Sequence, residues 1–184
     1  MTFSLVTLIA SIVLMLAFIG ISIYKFKLLP SYSAYSPAWD KVLPINGMHF
    51  WSIITFFIAL LFMPALIELG DGKMLQFLGF FAPIYLIMIA LFPLEDITEN
   101  MRESDKKRIE RNLKIHIISA ILCAIAVLSW VIFVMKMWWM VLIAVVAVLI
   151  GGLLTKSLKS SFTFWSEMIL FISGYGAALI GLLR

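Results

Sequence analysis

Residues Met137–Thr155 read MWWMVLIAVVAVLIGGLLT, an apolar run without one charged side chain. A helix rises about 1.5 Å per residue, so roughly 20 such residues cross a hydrocarbon core about 30 Å thick. Outward from this segment the pattern recurs at Thr2–Tyr24, Met48–Leu69, Met74–Pro93, Ile115–Met135 and Phe164–Leu183. Lipid offers backbone amides no partner, so each run must satisfy its own hydrogen bonds as a helix. The expected fold is all-α: one polytopic membrane domain, residues 1–184, with six transmembrane helices.

Composition agrees. The chain is 64% hydrophobic and 13% charged, against about half and a quarter in a soluble domain, which leaves no room for a separate soluble unit. The net charge of +4 does not call for nucleic acid, because the basic residues follow the bilayer. With six spans, the first, third and fifth loops share one side. Of the 14 Lys and Arg residues, all but Lys73, Lys136 and Arg184 fall in those loops. Positive residues collect in cytoplasmic loops, which places the odd loops in the cytoplasm and both termini on the outer side of the cell's inner (cytoplasmic) membrane. The first run has no basic residue before it and no A-x-A-like site after it, so it reads as a membrane helix and not as a cleavable signal. The single cysteine, Cys123, lies mid-span and reads as a small buried hydrophobe.

The connections carry their own signals. Leu28–Asp40 reads LLPSYSAYSPAWD, which predicts no regular helix. Tyr32, Tyr35 and Trp39 suit an interfacial aromatic belt; alternatively, the loop re-enters as a cap over a cavity, with Ser33 or Ser36 pointing in. Gly70-Asp71-Gly72-Lys73 predicts an antiparallel hairpin of spans two and three, each kinked by a proline, Pro64 and Pro83. The loop 95–114 holds six acidic and six basic residues. It predicts a solvated helix capped by Ser104 and running into span four, or a docking surface for a cytoplasmic protein. In span six, Gly174/Ala178 and Ala177/Gly181 are small-xxx-small pairs suited to close helix packing, within the chain or between chains of a homo-oligomer. No internal repeat marks an inverted-repeat transporter.

Polar side chains at membrane depth are costly and point to function. Span two opens with His49, Ser52 and Thr55. Span three ends at Glu95 and Asp96. His116, Ser119 and Cys123 share one face of span four by i, i+3, i+7 spacing, and Glu167 lies near the start of span six. The alternation of spans brings His116, Asp96, Glu167, Ser119, His49, Ser52 and Ser33 toward one end of the bundle. They form either a pocket in which His116 pairs with Asp96 or Glu167, or a set of helix-end anchors.

Three segments, Pro30-Ser31-Tyr32-Ser33-Ala34-Tyr35, His116-Ile117-Ile118-Ser119-Ala120 and Phe164-Trp165-Ser166-Glu167, carry a resemblance to small six-span bacterial membrane proteins of unknown function. That resemblance implies the fold alone. A more distant resemblance is to intramembrane hydrolases of the alkaline ceramidase and adiponectin-receptor type, in which Ser, Asp and three His surround zinc. This chain departs from that pattern. It has two histidines in all, His49 and His116, and zinc needs about three protein ligands plus water.

The functional expectation is a non-enzymatic membrane protein that binds a lipid, another hydrophobic ligand or a partner protein, with no cofactor and no metal. The alternatives are an oligomeric pore or transporter, and a lipid hydrolase with Ser33 or Ser36 as nucleophile and His116 as base.

Overall fold

The computed structural model describes residues 2–43, 49–95 and 101–184. Those residues form helices and turns, with no strand among them. Helix α1, Phe3–Phe26, starts where the Thr2 hydroxyl accepts the Leu5 N–H at 3.3 Å. Its buried stripe mixes Leu8, Met15, Phe18 and Ile19 with Ser4, Thr7, Ser11 and Ser22. It ends at Lys27, whose φ of 63° leaves helical geometry.

A six-residue helix follows, α2, Tyr35–Asp40. This corrects the expectation that the first loop holds no regular helix. Pro37 falls in the first turn of α2, where backbone N–H groups have no intrahelical partner to lose.

Helix α3 spans Phe50–Gly70 and α4 spans Leu78–Leu91. Consecutive tight turns join them, with Gly72 at φ 65°. Close approach of the pair depends on Gly79: a Cβ there would lie 2.7 Å from the Leu66 carbonyl oxygen. Helix α5, Glu103–Ser129, continues through a π-helical turn, Trp130–Val134. Its N-cap is Arg102 and not Ser104, because Glu103 and Asp105 in the first turn already favour the positive end of the helix. Helix α6 spans Trp138–Leu154 and α7 spans Phe162–Leu183.

Four of these helices are long and apolar enough to cross a membrane: α1, α3, α5 with its π turn, and α7. Of the remaining three, α4 with 14 residues and α6 with 17 are apolar but shorter, and α2 has only six. Outward faces are apolar too. Ile117, Ile121 and Ile125 of α5 and Leu142, Val146 and Leu149 of α6 are all exposed, which suits lipid and not water. The fold is that of an all-helical, multi-pass membrane protein.

Helix α3 packs between α1 and α4, α4 packs on α5, and α7 touches α1, α3, α5 and α6. Ser11 meets Ile58 while Phe18 meets Phe50, so α1 runs antiparallel to α3. Gly174 sits against Phe62 and Val127, and Gly181 against Leu69 and Met135, so α3, α5 and α7 run together. The segment 27–43, the starts of α3, α5 and α7, and the end of α4 therefore gather at one end of the bundle.

Candidate functional site: a capped apolar cavity

The first loop turns into that end of the bundle. Tyr32, Ser33, Tyr35, Ser36 and Trp39 are all buried, so these aromatic residues are core and not an interfacial belt. Backbone and side-chain bonds hold the loop in place. The Phe164 N–H donates to the Pro30 carbonyl at 2.8 Å. The Tyr32 N–H donates to Glu167 Oε2 at 2.6 Å, and the Tyr32 hydroxyl pairs with Thr55 Oγ1 at 3.1 Å. Trp39 Nε1–H donates to Ser22 Oγ at 2.9 Å, and the Tyr35 hydroxyl donates to the Lys27 carbonyl at 3.0 Å. Burial, with the neighbouring Glu167 charge, raises the pKa of the Tyr32 phenol against the pull of its Thr55 bond, so the Tyr32 phenol is neutral at physiological pH.

Ser33 makes the second anchor. Its hydroxyl lies 2.9 Å from His116 Nε2, while His116 Nδ1 lies 2.7 Å from the Phe92 carbonyl oxygen. A carbonyl only accepts, so Nδ1 carries the proton and, in the neutral ring, Nε2 presents its lone pair to Ser33. Thus His116 pairs with Ser33 and Phe92, and not with Glu167, one of the two partners the pocket alternative offered it. Glu167 is engaged instead by the Tyr32 backbone. Asp96, the other expected partner, lies outside the described residues.

Beneath this cap is a cavity of about 70 Å³. Its walls include Phe62 of α3, Leu86 and Ile89 of α4, Cys123 and Val127 of α5, and Phe171 of α7, while Tyr32, Ser33 and Glu167 form its polar end. Counting about 10–15 Å³ per water position, the space holds a handful of waters or a short apolar segment. Comparison with protein-family models, curated proteins and solved structures finds no match.

The other expected residues divide. His49 pairs with Asp40 at a shallow cleft that also takes in Lys41 and Glu95, apart from the cavity. Glu95 receives a two-pronged bond from Arg108, at 3.0 and 3.1 Å. Ser52 shares with His49 a groove between α3 and α4, and its hydroxyl has no partner among the described residues. Ser119 is buried one turn beyond His116, and Cys123, a turn further, lines the cavity. Among the described residues no three His, Cys, Asp or Glu side chains form a group that could hold a metal. In α7, Gly174, Ala177 and Ala178 are buried and Gly181 partly so, Gly174 and Gly181 lying against the chain's own α3 and α5 residues.

Two polar features escaped the sequence. Tyr32 has no signal beyond its aromatic character. Ser11 donates to the Ile58 carbonyl at 2.8 Å and pairs with the Tyr175 hydroxyl at 2.7 Å. The i, i+3, i+7 recurrence of Ser4, Thr7 and Ser11 along one face of α1 was a readable signal for that contact.

Proposed function

We propose that this chain is a six-span protein of the cytoplasmic membrane that holds the apolar part of a lipid in the cavity beneath the 30–36 cap, with the lipid's polar group toward Ser33 and Glu167. One observation carries the reading: the cavity is walled by apolar side chains and its polar groups are confined to one end, the layout of a site for an amphipathic ligand. Burying hydrocarbon there stabilises by about 25 cal/mol per Å².

The six-span arrangement rests on α4 and α6 also traversing the bilayer. Seventeen residues make α6 roughly 26 Å long. The shorter α4 is extended by the turns of residues 71–77, and irregular backbone is tolerated at depth where protein covers it. The basic loops then face the cytoplasm.

Native mass spectrometry of the detergent-purified protein tests the binding reading. One retained lipid per chain is expected, with at least a tenfold loss of occupancy in Ala120→Leu, which fills the cavity. Equal occupancy in that variant would sink the reading.

A further inference from the structure

We propose that Ser33 is a nucleophile and His116 its general base, and that together they cleave the carboxylic ester of an acyl chain held in the cavity. The inference rests on the ligand-binding reading above and adds a reaction to it. A serine hydroxyl is a weak nucleophile until an adjacent base takes its proton and a third group orients that base. All three parts are present. Ser33 Oγ is 2.9 Å from His116 Nε2. The Phe92 carbonyl, at the C-cap of α4, holds the Nδ1 proton at 2.7 Å and so directs the Nε2 lone pair at the serine.

The pair is also placed to meet a substrate. Ser33 lines the apolar cavity, whereas His116 is buried behind it. Among the described residues the Ser33 backbone N–H has no protein acceptor, which leaves it available to the oxygen of a tetrahedral intermediate. Glu167 is a positioning residue here. By accepting the Tyr32 N–H it holds the residue before the nucleophile.

The chemistry balances with water as the second substrate. Ser33 Oγ bonds to the ester carbonyl carbon as its proton passes to Nε2. The intermediate collapses, the carbon–oxygen bond to the alcohol breaks, and the departing alkoxide takes the Nε2 proton. Water then attacks the acyl-serine, loses a proton to Nε2, and releases the carboxylic acid as that proton returns to Ser33.

The test uses the full-length protein in detergent and a decyl fluorophosphonate, followed by peptide mass spectrometry. Stoichiometric phosphonylation of Ser33 is expected, absent in Ser33→Ala. His116→Gln should slow labelling about 100-fold or more, the scale of general-base assistance, with its fold checked by lipid occupancy and gel filtration. No label on Ser33 while lipid is still bound overturns the nucleophile and leaves the binding reading standing. Equal labelling of His116→Gln overturns the base. Labelled Ser33 in a protein that never binds lipid overturns the acyl-ester substrate and the binding reading together.

Discussion

Ser33 Oγ and His116 Nε2 stand 2.9 Å apart although 83 residues separate them in the chain. This bond joins the first loop to α5 and, through the Phe92 carbonyl, to the end of α4. It ties the cap residue Ser33, which lines the cavity, to α5.

Ser33→Ala removes the donor to a buried imidazole nitrogen. Leaving that acceptor unpaired costs about 1–3 kcal/mol. A lowered melting temperature in detergent and faster proteolysis within residues 27–43 are expected. An unchanged melting temperature would show that the bond does not hold the cap.

Glu167→Gln keeps an oxygen that accepts the Tyr32 N–H, whereas Glu167→Ala keeps none. The alanine variant should therefore be less stable than the glutamine variant by about 1–3 kcal/mol. Paired thermal denaturation curves decide it, and a glutamine variant as weak as the alanine one would mean that the charge, not the acceptor, matters.

Gly79→Ala places a methyl group against the Leu66 carbonyl. Backbone cannot swing aside as a side chain does, so α3 and α4 must separate at a cost of about 1–3 kcal/mol. Lower stability is expected, with an enlarged cavity and weaker lipid retention on native mass spectrometry.

Single cysteines in a Cys123→Ala background test the topology. Cysteine at Lys107 should react with an impermeant maleimide only from the cytoplasmic face, and cysteine at Lys73 or Lys136 only from the other. Labelling of all three from one face would refute the six-span arrangement.

Tyr175→Phe removes the hydroxyl that pairs with Ser11 while keeping the ring against Phe62, with centroids 4.3 Å apart. Because Ser11 still donates to Ile58, a loss of only about 0.5–1.5 kcal/mol is expected. Ser11→Ala also strips the Ile58 carbonyl of that donor and should cost more, which chemical denaturation of both variants would show.

The helices were legible because hydropathy is local: a run such as Met137–Thr155 declares itself residue by residue, and lipid admits few alternatives to a helix. The hairpin at residues 70–73 and the passage of α5 from charged surface into apolar core were readable for the same reason. The shortened α4, from Leu78 to Leu91, was not, since hydropathy does not register the tight turns that precede it. Nor was the site. Ser33, His116 and Glu167 come from three separate stretches, and periodicity says only that His116, Ser119 and Cys123 share a face. Which side chains meet depends on helix rotation and on the loop folding inward, and both are set by packing across α3, α4, α5 and α7. Local sequence determined that this chain is a bundle of apolar helices. Tertiary structure alone decided that Ser33 faces His116, that Glu167 binds the Tyr32 backbone, and that His49 stands apart with Asp40, because those contacts are made between segments that share no local pattern.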